Sequence, residues 1–138
     1  MKIPSSQLKL YAGKNKSKRV YEVHHFFKGK IPANIAKSLQ VQIDSKVFQA
    51  EAGQQYIDHN DQVIYIGLGE SEKLTLRKLA SYYLKLGESC IKWVGIGLEI
   101  HISKDLSESL SSFNVVYQLA NSLEIAAFPV DSLSKTYR

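Results

Sequence analysis

Two glycines, Gly67 and Gly69, form the pattern in this sequence that is most typical of a ligand site. They follow the apolar run 63–66 and precede an acidic stretch. Glycines between a strand and a helix let backbone N–H groups approach a phosphate. A dinucleotide site would need a third glycine, but Glu72 occupies that position, and Glu70 and Glu72 would repel a phosphate. The pattern therefore favours a tight turn, with ligand binding by Gly67 and Gly69 as the alternative.

The four histidines do not form a recognisable metal-binding motif. His24 and His25 are adjacent, so on a strand they would point to opposite faces and could not bind one metal ion. His59 lies in a polar turn that lacks the spacing of a calcium loop. Closed metal sites need three or four convergent ligands, so we assign no residue to a metal site. Cys90 is the single cysteine, which excludes an internal disulfide and a thiol-based zinc site.

Positive charge is concentrated near the start of the chain. The formal net charge is +5, and residues 1–46 hold ten Lys and Arg against two acidic residues. The densest part contains Lys14, Lys16, Lys18 and Arg19. An anionic partner such as DNA would account for this asymmetry, whereas a solvated loop is the simpler interpretation of a short charge run. No obvious recognition helix or paired aromatic stacking motif accompanies the segment.

Length and composition predict one globular domain. The 138 residues are 44% hydrophobic and 22% charged, which is typical of a folded chain. No apolar run reaches the ~18 residues that a membrane-spanning helix needs, and the start lacks a signal-peptide apolar region. We therefore expect a cytoplasmic protein without a membrane partner. The GxSxG, HExxH and P-loop motifs do not occur, so we assign no catalytic residue and no cofactor to this segment.

Hydrophobic periodicity predicts the elements that would position these residues. The first half of the chain contains strands at 8–12 and 19–27, a short helix from Pro32, one or two short strands within 41–52, and a loop at 53–62. The second half contains a strand at 63–66, a helix at 76–86, a strand at 93–100, a polar stretch at 103–112, and a helix at 113–127 that Pro129 stops. Gly87 either ends the helix at 76–86 or is tolerated near its end. Strands and helices that alternate with right-handed crossovers predict an α/β sandwich.

Residues 63–131 combine several short patterns in a fixed order. The run VIYIGLG at 63–69 is followed by ESEKLTLRKL at 70–79, then by a small aliphatic strand and a helix. In order and spacing these patterns resemble the N-terminal domain of leucyl aminopeptidases, which has a VLLVGLG strand and turn before an acidic stretch and a helix. The family's aromatic-x-Phe-Asp-x-Tyr-Lys junction is matched at Phe128 and Asp131, and this chain departs from it at Val130, Leu133 and Ser134.

The resemblance implies a fold and a setting for the chain. The fold would be a macro-domain-like, three-layer α/β/α sandwich around a mixed sheet, with a non-catalytic domain at 1–131 and the start of an interdomain linker at 132–138. The parent would be a metallopeptidase that removes N-terminal residues from peptides. Its two divalent metal ions, zinc or manganese, would lie in a C-terminal catalytic domain of the same chain, which an Asn-Thr-Asp-Ala-Glu-Gly-Arg motif marks.

The same resemblance implies partners and leaves two alternatives open. The parent would be a cytoplasmic homohexamer, in which this domain contributes to assembly and to active-site access. One alternative is a macro-like module that binds ADP-ribose or a related nucleotide through Gly67 and Gly69. The other is a nucleic-acid-binding domain. Its contacts would come from Lys14, Lys16, Lys18 and Arg19.

Overall fold

A computed structural model describes residues 8–13, 19–32, 35–90, 96–110, 112–125 and 132–135. Within these ranges the elements are β1 (Leu8–Gly13), β2 (Arg19–Phe27), α1 (Lys37–Asp44), β3 (Gln55–Asp58), β4 (Val63–Gly69), a 3₁₀ turn (Ser71–Lys73), α2 (Leu76–Cys90), β5 (Ile96–Ile102), α3 (Lys104–Ser109), α4 (Ser112–Ile125) and β6 (Ser132–Lys135). Across the described ranges, every helix is too short or too polar to cross a membrane.

The strands form one mixed sheet in the order β3-β4-β2-β5-β1-β6. Its centre is parallel, because β2 pairs with β4 on one side and with β5 on the other in the same direction. Its flanks are antiparallel, since β3 pairs with β4 and β1 pairs with both β5 and β6 in opposite directions. The predicted α/β class with a mixed sheet is confirmed.

One face of the sheet carries the larger hydrophobic core. Every second residue of the central strands is buried there, as the alternation of strand side chains requires. The buried strand residues are Tyr21, Val23, Phe27, Ile64, Ile66, Leu68, Leu98, Ile100 and Ile102. Helices α2, α3 and α4 cover them with Leu79, Tyr83, Leu86, Leu106, Val115 and Leu119. The helical spacing of these side chains explains why the amphipathic segments fold back onto the sheet.

The opposite face is only partly apolar. A second core joins Leu39 of α1 and Tyr65 of β4 to Phe48 and Ala50, which follow α1. It covers the part of the face that belongs to β3 and β4. Over β2 and β5 the same face presents polar side chains, and these form the candidate site described below.

Three internal segments differ from the sequence-based predictions. Residues 41–44 belong to α1 and not to a strand: Leu39 is fully buried and Val41 is 60% exposed, whereas a strand would place both on one face. The predicted loop at 53–62 contains β3, which pairs antiparallel with β4 and forms an edge strand of the sheet. Helix α3 lies in the predicted polar stretch, where the Ser103 hydroxyl accepts the backbone N–H of Leu106 as an N-cap.

The ends of two elements also differ. α2 continues past residue 86 to Cys90, so of the two interpretations of Gly87 the one in which the helix tolerates the glycine near its end is confirmed. Residues of the expected linker at 132–138 form β6, which pairs with β1 and places Leu133 opposite Leu10. The predicted strand start at Trp93 and helix stop at Pro129 lie outside the described residues.

Candidate functional site

Four polar side chains meet on the partly apolar face of the sheet, where β2 lies beside β5. The parallel register pairs Glu22 with Glu99, so the residues two positions further along each strand are also neighbours. These are His24 and His101, whose rings stack with centroids 4.5 Å apart and planes 20° from parallel. We call Glu22, His24, Glu99 and His101 the His/Glu cluster.

Each imidazole of the His/Glu cluster faces a carboxylate of its own strand. His24 Nε2 lies 3.0 Å from Glu22 Oε1, and His101 Nε2 lies 2.9 Å from Glu99 Oε2. Glu22 also faces the second ring, because its Oε1 lies 3.9 Å from His101 Nε2. Both Nε2 atoms and the Glu22 carboxylate therefore point into one small volume.

The surroundings of His101 favour the neutral form of its imidazole. The side chains of His101 and Glu99 are 24% and 20% exposed, while His24 and Glu22 are more open. Burial, followed by the nearby His24, lowers the pKa of His101, and the carboxylates of Glu99 and Glu22 act in the opposite direction. A lowered pKa keeps the His101 ring neutral near pH 7, and this neutral ring binds a metal ion through Nε2 once the proton that Nε2 donates to Glu99 is held on Nδ1 instead.

Three members of the cluster have the geometry of metal ligands. Glu22, His24 and His101 each offer a ligand atom, and these atoms all lie within 4.8 Å of one another. Imidazole nitrogen together with carboxylate oxygen is a common donor set for divalent transition metals. The arrangement is therefore chemically able to hold such an ion, with Glu99 beside it as a second negative charge.

His25 supports the cluster from the opposite face of β2. Its Nδ1 lies 3.1 Å from the backbone oxygen of His101, so this nitrogen carries the proton and donates it. Its Nε2 is then unprotonated and accepts a hydrogen bond from the hydroxyl of Tyr83 on α2. Burial lowers the pKa of His25 to about 3, so the ring stays neutral. The expectation that His24 and His25 point to opposite faces is confirmed.

The glycine turn at the end of β4 is closed by the chain's own backbone. Gly67 N–H donates to Gln54 O at 2.7 Å, and Gly69 N–H donates to Ala50 O at 3.0 Å. A Cβ on Gly67 would overlap the carbonyl oxygen of Glu51, so only glycine fits beside this segment. Gly69 adopts φ +71°, the left-handed conformation that glycine tolerates best. These contacts favour the turn role of the two glycines.

A surface cavity of about 110 Å³ opens next to Gly69. Three lysines border it, and each already has a partner within the chain. Lys28 Nζ lies 3.0 Å from Glu51 Oε2, Lys73 Nζ lies 3.4 Å from a Glu70 oxygen, and Lys78 Nζ donates to Lys73 O at 2.9 Å. Two of the three lysines are therefore paired with glutamates and the third donates to a backbone carbonyl, which leaves a surplus of one positive charge at the cavity.

The basic segment is placed only at its last residue. Lys14, Lys16 and Lys18 lie outside the described residues. Arg19 begins β2, where its guanidinium donates to the Tyr21 hydroxyl at 3.2 Å and lies 5.9 Å from the centre of that ring. The contacts of Arg19 are thus local, within the strand that it begins.

Sequence reasoning treated the histidines one at a time and missed the His/Glu cluster. The signal that would have found it is a repeated tripeptide, Glu-x-His, at 22–24 and again at 99–101. On a strand the two polar residues of such a tripeptide share one face. Two copies form a site only if their strands are neighbours, which the sequence did not indicate.

Comparison with known proteins leaves the function to be argued from the residues. When the chain was compared with protein-family models and with solved structures, neither comparison gave a match.

Proposed function

We propose that the chain is the macro-like, non-catalytic domain of a leucyl aminopeptidase-type metallopeptidase. The observation that carries this proposal is the unit formed by β4, the closed glycine turn, the acidic 3₁₀ turn Ser71–Lys73 and α2. The sequence of this unit is the part most similar to the family. Its elements, and β5 and α4 after it, follow in the order that the resemblance implies.

The layering of the sheet supports the macro-like part of the proposal. α1 packs on one face of the mixed sheet, and α2, α3 and α4 pack on the other. A three-layer sandwich needs helices on both faces of a largely buried central sheet. β4 fits that position, because five of the six residues after Val63 are apolar or glycine and all six are buried.

The closed turn supports a scaffold role over nucleotide binding. Ligands of open α/β sheets bind beyond the carboxyl ends of parallel strands. At the end of β4 the N–H groups of Gly67 and Gly69, which a phosphate would need, donate to Gln54 and Ala50 instead. In the proposed parent, a cytoplasmic homohexamer, this domain contributes to assembly and to active-site access, and the two catalytic metal ions lie in the C-terminal domain.

The first test reads the coding sequence beyond Arg138. The proposal expects the reading frame to continue into a second domain with an Asn-Thr-Asp-Ala-Glu-Gly-Arg-like motif. A stop codon directly after Arg138 contradicts it.

The second test measures activity and ligand binding of residues 1–138 alone. With leucine p-nitroanilide and added Mn²⁺ or Zn²⁺, we expect no hydrolysis above that of the buffer with the same ions. Metal-dependent turnover that follows the purified chain contradicts the proposal. Calorimetric titration with ADP-ribose is the companion measurement: no heat at millimolar ligand is expected, and saturable heat would favour the nucleotide-binding module instead.

A further inference from the structure

We propose that Glu22, His24 and His101 form a binding site for one divalent transition-metal ion, and that zinc is the biological ion that suits it best. The site is separate from the two catalytic metal ions of the proposed parent and does not depend on that proposal. The starting observation is the convergence of two imidazole nitrogens and one carboxylate within 4.8 Å.

The separations of the ligand atoms match a metal polyhedron. Zinc binds His nitrogen and carboxylate oxygen at ~2.0–2.2 Å, which places neighbouring ligand atoms of a tetrahedron ~3.4 Å apart. Glu22 Oε1 lies 3.0 Å from His24 Nε2 and 3.9 Å from His101 Nε2, on either side of that value. The two rings stack with planes 20° from parallel, so each imidazole must turn about its side-chain bonds to aim its Nε2 lone pair at a shared ion, while the paired β2 and β5 backbones can stay where they are.

Strand pairing and His25 hold the ligands in place before the ion arrives. The parallel ladder between β2 and β5 fixes the spacing of the backbones that carry Glu22 and His101. The His25 ring donates to the backbone oxygen of His101 from the opposite face, which anchors that ligand's main chain. Ligands on rigid elements with supporting hydrogen bonds lose little freedom when they bind.

The donor set and the charge select the class of ion. Two imidazoles and one carboxylate suit zinc, cobalt, nickel and copper, whereas Mg²⁺, Ca²⁺ and Mn²⁺ prefer oxygen ligands. Glu22 and Glu99 together supply two negative charges, which balance a divalent ion. The cluster is partly open to solvent, with His24 34% exposed, so water can complete the coordination sphere. The site therefore belongs to the open class of three protein ligands plus water.

Metal binding is tested with the untagged chain, because a polyhistidine tag binds the same ions. After chelator treatment, Zn²⁺ is titrated in competition with a chromogenic chelator, and Co²⁺ is followed by its visible absorption. We expect one ion per chain. Removing a ligand should weaken Zn²⁺ binding more than ~100-fold, beyond the loss expected for an outer-sphere partner; the variants are His24→Gln, His101→Gln and Glu22→Gln. Glu99→Gln, which removes an outer-sphere partner, should weaken Zn²⁺ binding about tenfold. The control is His59→Gln, at an exposed histidine outside the cluster, which should bind as the unaltered chain does.

A measurement on the unaltered chain keeps the test decisive if a variant fails to fold. Long-range ¹⁵N–¹H spectra resolve the ring nitrogens of each histidine. Zinc should shift the Nε2 signals of His24 and His101, and leave the His59 signals in place. Zinc-induced shifts confined to His59, equal affinity of the His24→Gln and unaltered chains, or no binding at ~100 μM Zn²⁺ would each overturn the proposal.

Discussion

Replacing Gly67 with alanine tests whether the glycine turn at the end of β4 is filled by the chain's own backbone or open to a ligand. The backbone φ at this position is not left-handed, so alanine brings steric overlap and no conformational strain. The new Cβ would collide with Glu51 O and with the main chain of Ala50. Backbone atoms cannot rotate away as a side chain does, so the segment from Ala50 to Gln54 must move.

The expected loss of stability follows from the contacts at stake. Overpacking a close-packed site costs ~1–3 kcal/mol. Moving the segment also weakens two backbone hydrogen bonds, from Gly67 N–H to Gln54 O at 2.7 Å and from Gly53 N–H to Gly67 O at 2.9 Å. Each contributes ~1 kcal/mol to stability. We expect Gly67→Ala to lower the free energy of unfolding by about 3 kcal/mol. With an m-value of ~1.5 kcal/mol/M, the urea midpoint should fall by about 2 M.

Gly29→Ala is the matched control for the same substitution. Gly29 has φ +78°, and a Cβ there would meet nothing within 4 Å, so it reports left-handed strain alone. That strain costs ~1–2 kcal/mol. Both variants are unfolded in urea and followed by far-ultraviolet circular dichroism. If Gly67→Ala is as stable as the unaltered chain, the segment at 50–54 does not close the turn, and this result would favour ligand binding as the role of Gly67.

Two further predictions concern buried polar groups. His25→Phe should lower the free energy of unfolding, measured in urea, by ~2–4 kcal/mol, because it removes the hydrogen bonds of the buried His25 ring with the Tyr83 hydroxyl and the His101 carbonyl; a variant as stable as the unaltered chain would contradict the assignment. Asp58 accepts the backbone N–H groups of two following residues, which holds the pKa of its carboxyl below the ordinary value of 3.8. A depressed pKa stabilises the fold above the unfolded pKa, and this stability disappears as the pH falls through the folded pKa. Asp58→Asn should therefore be about 0.5 kcal/mol less stable than the unaltered chain at pH 7, and the difference measured by urea unfolding should shrink as the pH falls below 3.8; a difference that stays constant in acid would assign it to packing.

The sequence was sufficient where local periodicity decides the structure. β2 and α2 were predicted because their apolar residues repeat at strand or helix spacing, and β4 because residues 63–66 form a continuous apolar run. β3 was missed because Gln55–Asp58 is short and polar and becomes a strand only by pairing with β4. Its strand character is a tertiary property, which a local pattern does not contain.

The candidate site was missed for a related reason. His24 and His101 are 77 positions apart, and each has an unremarkable local environment in the sequence. Their meeting depends on β5 crossing over to lie beside β2, with β4 on the other side. Strand order is a property of the whole fold, in which α2 and α4 share one core with β2, β4 and β5, so composition and spacing alone could not place the two rings together.

The position of β1 has a consequence for how the chain folds. β1 pairs with β5, and Leu8 meets Ile102 across about 90 intervening residues. Ribosomes add ~5–20 residues per second, so β5 is synthesised roughly 5–20 s after β1. Pairings between distant segments also slow folding, because a long loop must close before they form. β2, β4 and α2 are complete before β5 is made, so β1 should join a sheet that is already partly assembled, and its docking should be among the late events of folding.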